Sequence, residues 1–217
     1  MATTFEPGDG DELERIAEAV GRHGYALSDC ALPAALLDAL FVHVSGLPDQ
    51  ALQRAGVGRE QAHQMNQFVR TDETCWLEPE QPASRPLLDW MERLRLALNR
   101  RLFLGLFDYE AHFARYLPGA FYRRHRDAFG DGTTNRVLST VLYLNPAWSS
   151  GDGGELVLYA DDDRQTLEVV TPSYGRLAVF LSERFPHEVL ATRRTRYSIA
   201  GWFRVNGSLG GVIDPPR

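Results

Sequence analysis

Between Tyr109 and Val205 the chain falls into seven short apolar runs, HFARYL, NRVLSTVLYLN, GELVLYA, TLEVVT, GRLAVFLS, HEVLA and RYSIAGWFRV. Glycine, proline, aspartate and asparagine part them, and no helix-length segment intervenes. No other feature constrains the fold as strongly. Short strands bounded by turn formers pair antiparallel, and seven of them bury their apolar sides by closing into a sandwich or barrel. The stretch DDDR, residues 161 to 164, fits a solvated turn between two of them. The first half has a different period. Residues 11 to 23 place Leu13, Ile16, Ala17, Ala19 and Val20 at helical spacing and stop at His23 and Gly24. Residues 32 to 45 present Leu36, Leu37, Leu40 and Val44 on one face, and residues 85 to 104 present Leu87, Leu88, Met91, Leu94, Leu98 and Leu102. The expected architecture is mainly β, with these helices buttressing one outer face of the sheet.

A net charge of −6 and a pI near 5.5 argue against a broad electrostatic grip on nucleic acid. The N-terminal residues lack a cationic start followed by an apolar core, so no secretion signal is read there. The most apolar stretch, ALPAALLDALFVHVSGL, is broken by Asp38 and His43 and is short for a bilayer span. Cys30 and Cys75 are too few for a disulfide framework, which fits a reducing, cytoplasmic setting with no membrane partner.

The chemistry concentrates in the second half. In an extended strand residues i and i+2 point to one side, so His125 and Asp127 can aim an imidazole and a carboxylate at one point while Arg126 faces away. Downstream of them the chain has one further histidine, His187. Two histidines and a carboxylate are the ligand set of a non-haem Fe(II) oxygenase centre, with open positions for a chelator and dioxygen. The short spacing alone carries little; the set carries the reading. In RRTRYSIAGWFRV, strand parity puts Arg194, Arg196, Ser198, Ala200 and Trp202 on one face, and Thr195, Tyr197, Ile199 and Phe203 on the other. A guanidinium followed by small residues suits a barrel interior holding a small anion, and equally a surface strand with Arg196 in water. Tyr143 and Tyr116 read either as ligand hydroxyls or as core tyrosines. His23, His43, His63 and His112 have no carboxylate or cysteine at ligand spacing, which favours structural roles. No Ser/His/Asp or Cys/His constellation is present.

From about Phe68 to Arg204 the chain resembles the prolyl 4-hydroxylase group of Fe(II)/2-oxoglutarate oxygenases, closest to bacterial relatives of the hypoxia-inducible-factor prolyl hydroxylases. The resemblance is carried by ARYLPGAFYRRHRD, VLYLNPAW, GDGGELVLY and FPHEVLATRRTRYSIAGWF in family order, with a fainter match in VRTDETCWL, residues 69 to 77. It implies a double-stranded β-helix, or jelly roll, buttressed by three to four helices. It implies a single oxygenase domain over 1–217: helical support and entrance loop at 1–108, catalytic core at 109–205 and a tail at 206–217. His125, Asp127 and His187 resemble the iron ligands, and Arg196 the clamp on the distal carboxylate of 2-oxoglutarate, with Tyr143 assisting. Tyr116 and Trp202 resemble pocket residues, while Arg136, Asp72 and Trp76 fall where the family shapes the substrate entrance. Ala200 departs from the threonine frequent in relatives, so one cosubstrate hydrogen bond is missing or passes through water.

The implied reaction couples Fe(II), 2-oxoglutarate and dioxygen, with ascorbate as reductant, to hydroxylation of an exposed protein proline. It yields 4-hydroxyproline, succinate and carbon dioxide, with a translation factor such as elongation factor Tu as the expected partner of a monomeric enzyme. The loop around 59 to 77 and DAFGDGTTNR, residues 127 to 136, are expected to include mobile closing elements. Two alternatives stand beside this: an oxygenase of a small molecule or free amino acid, and a non-catalytic jelly-roll module that senses metal or ligand.

Overall fold

The computed structural model describes residues 9–29, 31–55, 69–128, 135–162 and 164–206. Three helices form as the spacing predicts: α1 (Asp9–His23), α2 (Ala34–Ser45) and α3 (Ser84–Leu102). The strands in chain order are β1 (Tyr25–Ser28), β2 (Gln53–Arg54), β3 (Glu73–Trp76), β4 (Leu106–Tyr116), β5 (Tyr122–His125) and β6 (Arg136–Tyr143). They continue as β7 (Leu156–Tyr159), β8 (Thr166–Val170), β9 (Leu177–Leu181), β10 (His187–Val189) and β11 (Arg196–Val205). Seven strands make one antiparallel sheet in the order β1-β9-β6-β11-β4-β3-β2, and four make a second, β5-β10-β7-β8.

Period-two patterning separates two cores. Odd positions of β11, Ile199 and Phe203, join Phe113, Leu138 and Leu142 against the helices. Tyr116, Tyr143, Leu156, Leu158 and Phe180 form the second cluster, between the sheets. The helical layer is anchored by Leu87, Trp90, Met91, Leu94 and Leu98 of α3, all fully buried, each side chain contributing about 1.5–3 kcal/mol by leaving water. Leu88 is only half-buried and Trp90 takes its expected inward place. Gly201, in the middle of β11, lets the Tyr109 ring cross the strand: a Cβ there would collide with the Tyr109 hydroxyl, which bonds to Thr140 Oγ1 at 2.8 Å.

The sequence period does not mark every strand. β1 pairs with β9 at the edge of the large sheet and β3 pairs with β4, so the N-terminal half contributes strands as well as helices. Four-residue strands are too short for alternation to stand out from the helical patterns around them. The turn at Asp161 and Asp162 lies exposed between β7 and β8 as expected. No helix is long and apolar enough to cross a membrane among the described residues.

Candidate active site

β10 pairs antiparallel with β5 so that His187 lies directly opposite His125, their ring centroids 4.3 Å apart. Strand β5 ends at His125, and a bend brings Asp127 in. The turn, and not strand alternation, therefore sets the pair, and Arg126 leaves to donate to the Asp161 carbonyl at 2.7 Å. One ligand atom from each of His125, Asp127 and His187 lies within 4.8 Å of the others. The Nε2 atoms of His125 and His187 lie 3.5 Å from Oδ1 and Oδ2 of Asp127, respectively. Metal–ligand bonds of about 2.1 Å set neighbouring donor atoms roughly 3 Å apart, so the cluster fits one ion with slight tightening.

Both imidazoles are oriented by backbone carbonyls. Nδ1 of His125 lies 2.8 Å from the Arg123 carbonyl and Nδ1 of His187 3.0 Å from the Phe185 carbonyl. A carbonyl only accepts, so each Nδ1 carries the proton and each Nε2 offers its lone pair. Ser139 Oγ donates to Asp127 Oδ2 at 2.6 Å, with the Ser182 hydroxyl 2.9 Å behind it. Burial alone would raise the Asp127 pKa, but His187, His125 and the Ser139 bond outweigh it and hold the carboxyl well below the usual range. Burial, helped by His125, lowers His187 to about 4, which keeps it a neutral donor.

From the triad a cavity of about 830 Å³ runs between the sheets. Cross-strand register lays its floor in rows: Thr74, Ala114 and Ser198 in one, Trp76, His112, Ala200 and Val141 in the next; Tyr143, paired with Ser198, is fully buried behind the first row and does not line the cavity. Ala114, Ser198 and Ala200 leave room above them. Arg196 is 1% exposed, donates from Nη1 to Ser198 Oγ at 3.1 Å, and has its guanidinium carbon 4.7 Å from the Tyr116 ring and 5.0 Å from that of Tyr143. Its stem lies against Gly154, whose φ of +72° and missing Cβ allow that approach. Among the described residues no carboxylate pairs with it. Among the described residues, Arg196 Nε, the Tyr143 hydroxyl and the Trp202 indole N–H are buried without a hydrogen-bond partner. Burial pushes the Tyr143 phenol up to about 12 despite the guanidinium beside it, so it stays a donor. A buried cation without an acidic partner, beside the unused Tyr143 hydroxyl, fits an anion, and a carboxylate meets a guanidinium fork in bidentate fashion.

The expected entrance residues separate. Trp76 stands half exposed at the rim, and the Arg136 guanidinium carbon lies 3.6 Å over the Trp202 ring while its Nε donates to Glu110 Oε1 at 3.0 Å. Asp72 is 1% exposed and does not line the cavity; it clamps Arg70, which does. His112, read from spacing as structural, faces the cavity between Trp76 and Trp202, ring centroids 5.4 and 5.5 Å away. Its signal is cross-strand register, invisible without knowing the partners. Tyr122, Ser139 and Ser182 were missed for the same reason. Of the segments 59–77 and 127–136, expected to include closing elements, residues 59–68 and 129–134 lie outside the described residues.

A family model described as the 2OG-Fe(II) oxygenase superfamily matches residues 111–204. A solved prolyl 4-hydroxylase from Pseudomonas putida is 40% identical, with a TM-score of 0.80 over 89% of this chain and 98% of that one. The chain belongs to the 2OG-Fe(II) oxygenase superfamily, as a member of prolyl 4-hydroxylase type. Human Egl nine homolog 1 is 26% identical over 201 residues, 88% of this chain and 46% of that protein. Mouse prolyl hydroxylase EGLN3 is 28% identical over 200 residues, 88% of this chain and 82% of that protein. The chain spans about half the length of the first curated relatives it matches. The Trichoplax adhaerens prolyl hydroxylase in complex with a hypoxia inducible factor peptide fragment superposes with a TM-score of 0.79 at 22% identity, which supports the jelly-roll fold of this oxygenase.

Proposed function

We propose that this oxygenase hydroxylates a prolyl residue of a protein. His125, Asp127 and His187 hold Fe(II) through Nε2, a carboxylate oxygen and Nε2. Arg196, with Tyr143, grips the distal carboxylate of 2-oxoglutarate, with Tyr116 beside Arg196 and Trp202 nearer the triad. The observation that carries the reading is the buried Arg196, without an acidic partner among the described residues, at the floor of a cavity that also holds the triad. When bound, iron, 2-oxoglutarate and dioxygen supply an oxidation that yields succinate, carbon dioxide and a hydroxylated C–H. The chain's own part is to hold the ligands on one side, fix the far carboxylate and exclude water with Tyr116, Tyr143 and Trp202. Trp76 and Arg136, with Arg70 held by Asp72, form the mouth that receives the peptide.

The prolyl substrate is supported by the 40% identity to the Pseudomonas putida prolyl 4-hydroxylase. The reading extends to 4-hydroxyproline as product, ascorbate as reductant, action as a cytoplasmic monomer and elongation factor Tu as a substrate. The test is succinate release with Fe(II), ascorbate and 2-oxoglutarate, in the presence of proline-containing peptides that include loops of elongation factor Tu. Stimulated release, with one oxygen gained on proline by mass spectrometry, is expected. Stimulation by free amino acids in place of every peptide points to a small-molecule oxygenase. No stimulation by either points to a sensing module.

A further inference from the structure

We infer that Tyr122 is a positioning residue that ties the entrance segment to His125. This rests on the reading of His125 as a metal ligand. The Tyr122 and His125 rings stack with centroids 3.6 Å apart and planes 16° from parallel. A stack that close fills one face of the phenol, and the Arg70 guanidinium carbon, 4.3 Å from the same ring centroid, has the other. Arg70 in turn is fixed by Asp72, Nε to Oδ1 at 2.8 Å and Nη2 to Oδ2 at 2.6 Å. Asp72, Arg70, Tyr122 and His125 thus form one column from a buried carboxylate to a ligand ring.

The backbone reinforces the column. Arg123 N donates to the Val69 carbonyl at 2.8 Å and Thr71 N to the Phe121 carbonyl at 3.1 Å, and Arg70 bridges Tyr122. Residues 69–71 therefore run antiparallel to 121–123, and the Arg123 carbonyl of that same segment accepts from His125 Nδ1. His187 stands differently. Its ring meets the edge of Phe180 inside the sandwich, 4.8 Å away at 65°, and is 5% exposed. Of the two imidazoles, His125 is the one whose ring rests on a residue of the mouth. A peptide that displaces Arg70 changes the support of His125, and a metal that fixes His125 orders the mouth in return, since coupling between two binding events is reciprocal.

Calorimetric titration of the full metal-free chain with Co(II) tests this. Tyr122→Leu is expected to weaken Co(II) binding about three- to tenfold, the range of a ring stack, and Tyr122→Phe, which keeps the ring, less than about twofold. Arg70→Gln is expected to weaken it about two- to threefold through loss of its cation–π contact. Combined with Tyr122→Leu it should add nothing, because it acts through that ring. Additive losses, or full-strength binding by Tyr122→Leu, overturn the inference. If Tyr122→Leu does not fold, the His125 ring resonance of metal-free Arg70→Gln decides: a shift supports the column, an unmoved resonance overturns it. Wild-type protein that binds no Co(II), or binds it equally after Asp127→Ala, overturns the metal reading instead.

Discussion

The two ends of the cavity are built on opposite terms. At the triad the protein satisfies its own groups: carbonyls take both Nδ1 protons and a hydroxyl pair backs Asp127. At the other end Arg196 and Tyr143 keep buried polar atoms that no described residue pairs, as does Trp202 nearer the triad, opposite Ser139. The first geometry exists before a metal arrives, because hydrogen bonds to the chain hold it. The second carries a desolvation penalty that a bound anion would relieve, converting a folding cost into ligand affinity.

The largest test of that contrast removes a ligand outright. Asp127→Ala is expected to reduce iron affinity and iron-dependent succinate release by more than about a hundredfold, above the range seen when only a ligand's supporting partner is lost. Residual metal-dependent turnover near wild type would break the assignment of the pre-built end. Next, Arg196→Met is expected to weaken 2-oxoglutarate by about 2–4 kcal/mol, roughly 30- to 1000-fold, read as KM at saturating iron. The same change should leave the melting temperature of the ligand-free protein level or higher, since an unpaired buried charge is gone. A clear drop in ligand-free stability would mean that Arg196 serves the fold.

The contrast also explains what the sequence discloses. Parity along RYSIAGWFRV separates the helix-facing Ile199 and Phe203 from the cavity-facing Arg196, Ser198, Ala200 and Trp202, because a strand buried on both faces still alternates in chemistry. The helix faces are legible for the same reason of period. The two histidines of the triad stand out because few histidines lie downstream. What stays hidden is lateral: that His112 borders Ala200, that Ser139 reaches Asp127, that Tyr122 covers His125. Those neighbours come from different strands, and no local pattern encodes strand order. Asp72 shows the limit of carrying a role over by motif, since its carboxylate works one residue removed from the cavity, through Arg70.

His112 sits between the two ends and sharpens where the dry region begins. Burial, then Arg70, lowers it to about 4, against the ordinary 6.5. The folded protein thus declines a proton that the unfolded chain accepts, so the associated stability is intact above about pH 6.5 and is lost as pH falls toward 4. Between pH 7.5 and 5 this amounts to about 2 kcal/mol, and His112→Met should remove that part of the pH dependence. Urea unfolding of both proteins at the two pH values measures it. Equal losses in both would mean that water reaches His112 and that the cavity is wet up to Trp202.

The smallest effect expected concerns the hydroxyl pair behind the triad. Ser139 Oγ donates to Asp127, so in Ser139→Ala the carboxylate keeps its charge but loses one restraint on its orientation. Iron affinity is expected to fall about tenfold, the low end for a partner behind a ligand. The Ser182 hydroxyl, fully buried, then loses its own acceptor, which costs the fold about 1–3 kcal/mol on top of the metal effect. The two losses separate in the double variant Ser139→Ala with Ser182→Ala, where no stranded hydroxyl remains. Stability should recover in part, while iron affinity stays at the level of the single variant. Recovery of both together would mean that Ser139 acts by packing alone, and the triad would then be no more pre-built than the anion end.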